Sequence, residues 1–197
     1  QRSRVIHMGE IRPFSSRKSR IWLIIAIVLG AVVIDQVIKI LVATHMMLNT
    51  GIEITPWFQI SYVLNPGMAF GIEWFSKIAL TLFRIVAVGL LGWYLHVLLK
   101  KETPVGYIAT IAFIVAGAIG NIIDCIFYGK LFPEQETGWF CGKVVDMFYF
   151  PLIHNSAGEV LFFRPVFNFA DSCITCGVIV ILLFYMKQLN SEEKAKS

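Results

Sequence analysis

Four runs of mostly apolar residues, about 21–43, 76–99, 105–127 and 167–187, each approach the roughly twenty residues a helix needs to cross a bilayer core. Hydrophobic residues make up 57% of the 197 positions and charged residues 15%, against roughly 25% charged in an ordinary soluble domain. A soluble core of this size has no room for so much apolar surface, so the solvent has to be lipid. The expected fold class is mainly α: a polytopic membrane protein with four transmembrane helices. Residues 1–197 read as one domain, because no linker, repeat or low-complexity tract divides them. Residues 1–7 are set aside from the fold reading.

Charge distribution gives an orientation. Arg17, Lys18 and Arg20 precede the first run, Lys100 and Lys101 lie between the second and third, and Lys187, Lys194 and Lys196 follow the fourth. An even number of spans puts all three groups on one side, which the positive-inside rule makes cytoplasmic. The formal charge of +4 is thereby explained by topology, and no nucleic-acid partner is implied. The first run is too long for a signal-peptide core and reads as a retained span.

The remaining segments, about 44–75 and 128–166, then lie outside. Ile52-Glu-Ile54 alternates, and Phe58 to Tyr62 leads into a turn at Asn65-Pro66-Gly67, so the first outer segment reads as short strands. Trp57, Phe58, Trp74 and Phe75 suit the headgroup region as interfacial anchors. The second outer segment holds Trp139-Phe140, Phe148-Tyr-Phe150 and Phe162-Phe163, which predicts a lid or lipid-facing flap.

An ionisable group at the centre of a span costs at least about 2.5 kcal/mol, so each one needs a reason. Asp124 lies about three residues before the outer end of the third run and Asp171 about four after the outer start of the fourth. At 1.5 Å per residue both sit roughly 5–6 Å below the boundary, and two carboxylates at one depth can meet. Such a pair shares one proton: one member takes a proton from an attacking water while the other polarises a carbonyl. Asn121 and Asn168 each precede an Asp by three residues, which places amide and carboxylate on one helix face. On the residues alone, catalysis and an ion or proton site both stand. Asp35 and Lys39 share a face at i, i+4, and Arg84 lies at matching depth, so a structural clamp of Asp35 between Lys39 and Arg84 is expected. Gly117 and Gly120 allow close helix approach.

Other chemistries find no support. There is neither His-Glu-x-x-His nor Gly-x-Ser-x-Gly, and Ser172 has no evident base. No Cys/His spacing suggests a metal; Cys173-x-x-Cys176 reads as apolar filling, and His45, His96 and His154 are scattered.

Five ordered motifs span nearly the whole chain: Asp35-Gln-Val-Ile-Lys39, Asn65-Pro-Gly-Met-Ala-Phe-Gly71, Gly117-Ala-Ile-Gly-Asn-Ile-Ile-Asp124, Val144-Val-Asp146 and Phe167-Asn-Phe-Ala-Asp-Ser172. In this set the chain resembles the bacterial lipoprotein signal peptidases, also called signal peptidase II. The resemblance implies a four-helix inner-membrane aspartic endopeptidase with a small extramembrane β-cradle, both termini cytoplasmic and the active site near the outer face. It implies cleavage before the diacylglyceryl-modified cysteine of a prolipoprotein, with no metal or organic cofactor. It makes Asp124 and Asp171 the catalytic pair and Asn65, Gly67, Asn121, Asp146, Asn168 and Ala170 the residues lining or supporting the site. Asp35, Lys39 and Arg84 remain structural. Membrane lipid, globomycin-type cyclic peptide inhibitors and a monomeric state belong to the same expectation. The family usually carries Arg where this chain has Cys125, and Arg164 and Lys143 are the candidates to restore that charge. The rivals are an ion- or proton-coupled transport protein using the same carboxylates, disfavoured by the absence of an inverted repeat, and a non-enzymatic scaffold.

Overall fold

The computed structural model describes residues 16–67, 75–101, 103–135, 137–154, 160–162 and 165–186. Four helices carry it. Helix α1 spans Arg17–His45, α2 Phe75–Leu98, α3 Val105–Leu131 and α4 Phe169–Tyr185. The first three are long and apolar enough to cross a membrane, and α4 is a shorter apolar helix. Trp22, Leu29, Phe83, Trp93, Leu183 and Phe184 point outward and exposed, as side chains that meet lipid do. Lys187, Lys194 and Lys196 fall outside the described residues, as do the stretch 68–74 with Trp74, and Phe163 and Arg164.

Helix α3 is central. It packs against α1, α2 and α4, and most of it is buried, whereas α1 and α2 bury little. Small residues make this possible. A Cβ on Gly117 would collide with the carbonyl oxygen of Ala170, and one on Gly120 would meet the Asp35 carboxylate and Ala170 Cβ. From the other side, Gly177 of α4 receives the Ile114 side chain. With no hydrophobic drive between helices in lipid, this close backbone approach is where their packing energy comes from.

Six short strands cover one end of the bundle: β1 Gly51–Thr55, β2 Phe58–Asn65, β3 Val144–Tyr149, β4 Ile153–His154, β5 Val160–Phe162 and β6 Val166–Phe167. The sheet order is β1-β2-β3-β6, all antiparallel, with β4 and β5 forming a separate pair. The expected β-cradle is thus built from both outer segments. Tyr62, Val145 and Met147 bury one face of it against Val42 and Ala43 at the end of α1. The expected flap is partly sheet: Phe150 stacks on Phe58 and Phe167, and Phe148 pairs with Phe167 across β3 and β6. At the opposite end, Arg20 donates to the carbonyls of Lys101 (3.4 Å) and Thr103 (3.1 Å), tying two of the basic segments together.

Three boundaries differ from expectation, each for a local reason. Ser16 caps α1 through a 3.1 Å bond from the Ser19 amide, so the helix begins ahead of its apolar run. Asn168 caps α4 through a 2.8 Å bond from the Asp171 amide, which leaves Phe167 in β6. Helix α3 does not stop near 127; a π-helical turn over Asp124–Tyr128 carries it on to Leu131. Such turns insert one extra residue and commonly mark functional positions.

Replacing Gly117 by Ala should cost about 1–3 kcal/mol, because the obstructing atom is backbone rather than a flexible side-chain tip. The same change at Gly89 or Gly92, where nothing stands within 4 Å, should be neutral or stabilising by up to about 1 kcal/mol. Thermal unfolding of the three purified variants in detergent compares them.

Candidate active site

Below the sheet the polar residues form two joined groups. The first surrounds Lys39, whose side chain is 0% exposed. Its ammonium meets Asp124 Oδ2 at 2.8 Å, Asp35 Oδ2 at 2.9 Å and Asn121 Oδ1 at 3.0 Å, so all three of its donors are used. Asp124 also accepts from the Val145 amide and from Gln36 Nε2, both at 3.1 Å. Asp35 Oδ1 accepts from the Ala170 amide at 2.9 Å, one of the first-turn amides of α4 that its helix leaves unpaired. Gln36 Nε2 reaches the Gly120 carbonyl as well, and Gln36 Oε1 accepts from the Tyr128 hydroxyl at 3.0 Å. Neither Gln36 nor Tyr128 was singled out by sequence; the i, i+1 position of Gln36 beside Asp35 was the available signal.

The second group is built from β3, the end of β2 and the start of α4. Asp146 is 1% exposed. Its Oδ1 accepts from Asn168 Nδ2 at 2.7 Å and its Oδ2 from Asn65 Nδ2 at 2.9 Å. A one-residue irregularity in β2 between Ile60 and Val63 sets this register: beyond it Val63 faces Asp146 and Asn65 faces Val144. Asn65 Oδ1 then accepts from the amide of Gly67, whose φ of +69° suits glycine. Asn168 works twice, since the oxygen of the side chain that holds Asp146 caps Asp171. Asp171 Oδ1 accepts from Asn121 Nδ2 at 2.7 Å, and Asn121 Oδ1 takes Lys39 and Asn168. Asn121 therefore links the two groups.

Depth counting predicts that Asp124 and Asp171 meet; in the structure the Asn168 side chain links the Asp146 carboxylate to the Asp171 amide, and Lys39 holds Asp124. The extended α3 explains the difference. Asp124 lies seven residues before Leu131, roughly 10 Å along the helix, whereas Asp171 is two residues past Phe169, roughly 3 Å. Asp124 is fully buried against Lys39, and among the described residues no hydrogen bond joins it to Asp171. Each Asn also serves a carboxylate other than the Asp three residues on: Asn121 holds Asp171, and the amide of Asn168 holds Asp146. Burial lifts the Asp146 carboxyl to about 6; the Asn65 hydrogen bond opposes this and the nearby Asp171 charge adds to it. Two carboxyls that feel each other, one deeply buried and one partly open, can divide acid and base roles between them.

Matches to known proteins give the family. The model of the signal peptidase (SPase) II family matches residues 27–187. The chain belongs to that family. It is 46% identical to the lipoprotein signal peptidase of Porphyromonas gingivalis over 90% of this chain and 88% of that protein. The lipoprotein signal peptidase of Amoebophilus asiaticus is 38% identical, covering 83% and 78%. A bacterial membrane enzyme solved by the in meso method at 1.9 Å resolution superposes with a TM-score of 0.63 at 29% identity, covering 85% of this chain and 94% of that one. The chain is a peptidase, and its several apolar helices fit a multi-pass membrane protein.

The expected clamp needs correction in one member. Asp35 and Lys39 pair, but Arg84 does not join them; its Nη1 donates to Cys125 Sγ at 2.9 Å. Counting depth from helix ends gives no azimuth, and Arg84 is turned toward Cys125 of α3 rather than Asp35. The guanidinium thus lies against Cys125, the position at which the resemblance leads one to expect an Arg. Of the two residues expected to restore that charge, the Lys143 side chain makes no ion pair among the described residues, and Arg164 lies outside them.

Lys39→Met should destabilise the peptidase by about 3–5 kcal/mol, because two carboxylates would stay buried without their counter-ion; detergent unfolding measures this. Asp146 gives a pH prediction with a definite sign. Its folded-state value of about 6 exceeds the ordinary 3.8, so the folded peptidase binds the extra proton. The contribution is complete below pH 4 and lost as pH rises through 6. Unfolding midpoints should therefore fall between pH 4 and 6 less steeply in Asp146→Asn than in the wild type.

Proposed function

We propose that this peptidase removes the signal peptide from diacylglyceryl-modified prolipoproteins, cutting before the lipidated cysteine, with Asp146 and Asp171 as the water-activating pair. The observation that carries this reading is Asn168, one side chain that holds both acids: Nδ2 on Asp146 and Oδ1 on the Asp171 amide. Asp146, more buried and raised toward neutrality, holds the shared proton. Asp171, partly exposed and held by Asn121, is the base. It takes a proton from water as the water oxygen bonds to the scissile carbonyl carbon, and Asp146 gives its proton to the carbonyl oxygen. The tetrahedral gem-diol collapses as the C–N bond breaks: the proton held by Asp171 passes to the leaving amine, and one of the two hydroxyls returns its proton to Asp146 as the carbonyl re-forms.

In the same reading α4 is the fourth span, the basic ends lie in the cytoplasm and the sheet lies outside the inner membrane, as the positive-inside rule supports. A diacylated substrate then arrives laterally through the bilayer, and the site lies just under the outer face, where water reaches it. Globomycin-type cyclic peptides would compete for the same site, and the enzyme would act as a monomer. The transport reading loses support because the Asp124 carboxylate is already neutralised by Lys39.

Asp146→Asn and Asp171→Asn should each lower turnover of a purified diacylglyceryl prolipoprotein by at least about 100-fold while leaving the protein folded. Asp124→Asn should act first on stability, by loosening Lys39. Wild-type cleavage by either folded variant of the proposed pair would sink this assignment.

A further inference from the structure

Arg84 is a charged side chain inside an apolar helix, and among the described residues its hydrogen bonding is incomplete. A guanidinium has five N–H donors, and an intramembrane charge is ordinarily paired. Among the described residues Arg84 makes one hydrogen bond, to a thiol, which is a weak acceptor, and no ion pair. The carboxylate of the residue beside Cys125, Asp124, is already held by Lys39. The guanidinium lies against the Gly67 turn, so that a Cβ there would stand 2.9 Å from Nη2 and 3.6 Å from Nη1. Gly67 is bound to Asn65, and Asn65 to Asp146. The donors that have no partner among the described residues therefore sit two residues from a carboxylate of the proposed pair, at the rim where Asn65 is exposed and Asp171 partly so.

Depth narrows the ligand. Arg84 is nine residues past the start of α2, roughly 13 Å along the helix, and Cys125 is six before the end of α3, roughly 9 Å. That is below the phosphate layer, where the acceptors a lipidated peptide brings are carbonyl oxygens. Resting on the peptidase reading above, we propose that Arg84 is a specificity-determining residue whose guanidinium binds the ester carbonyl oxygens of the substrate's diacylglyceryl group. The two esters hang a few bonds from the cysteine at the cleavage point, and the Asn65–Gly67 turn has the acid pair at one end and the cation at the other. Gly67, with no Cβ, leaves the guanidinium room against the turn.

The test uses the full-length protein and two synthetic prolipoprotein peptides of equal chain length, one with a diester glyceryl group and one with the corresponding diether. The wild type should prefer the diester by roughly tenfold or more in kcat/KM, the worth of a hydrogen bond to a charged group, and mainly through KM. In Arg84→Met that preference should shrink to about one. Equal cleavage of both peptides by the wild type, or a preference that survives Arg84→Met, overturns the proposal. A second measurement leaves the arginine in place, in case the variant does not fold. The ester carbonyl stretch of a ¹³C-labelled diester peptide bound to Asp171→Asn should move to lower wavenumber than in plain bilayer; an unmoved band counts against the proposal. Failure of the wild type to cut either peptide would instead refute the substrate reading on which the proposal rests.

Discussion

The ammonium of Lys39, buried among Asp35, Asp124 and Asn121, is the contact on which the rest of the membrane-embedded structure depends. It ties α1 to α3 directly, and through Asp35 it reaches the first turn of α4 at the Ala170 amide. A charge in this position is tolerable only because every donor has an oxygen partner, and because Gly120 lets the Asp35 carboxylate lie against α3. Removing either carboxylate or the cation leaves the others without compensation in a medium that offers no water. The three charges thus hold the helices at the separation that the small residues of α3 permit.

On this base the sheet delivers the second acid. Asp146 arrives on β3, held edge to edge between β2 and β6, and β6 runs directly into Asn168 and α4. The same asparagine follows a strand, holds the Asp146 carboxyl and caps the helix by accepting from the Asp171 amide. Two acids placed this way are held by backbone on both sides, from a strand and from a helix first turn, which would leave little reorganisation to the proposed reaction. Asn121 connects them to Lys39, which makes the fold-holding charge group the floor of the site.

Much of this was legible in the sequence. Apolar runs of sufficient length, basic residues flanking them on one side, and alternating strands between them follow from what lipid and water each tolerate. The i, i+4 spacing of Asp35 and Lys39 was enough to pair them, because helix geometry alone brings those positions together. Depth counting failed for Asp124 because the helix end was taken from the end of the apolar run, and the π turn that extends α3 to Leu131 has no compositional signature. Arg84 was misplaced for a related reason: depth gives height along a span but no direction around it, and its partner proved to be Cys125.

The division follows from the range of the interactions. Chain order and local periodicity state which segments meet lipid, which residues are too costly to bury alone, and which set of motifs marks the signal peptidase II family. They are properties of one segment at a time. Whether Asp171 meets Asp124 or Asp146 is a property of three segments together, set by a strand register, a helix cap and a close approach at Gly117. Hydrogen bonds act over about 3 Å, and the residues that make these ones lie between 3 and 135 positions apart in the chain. The folded arrangement of α1, α3, α4 and the sheet is what chose the partners.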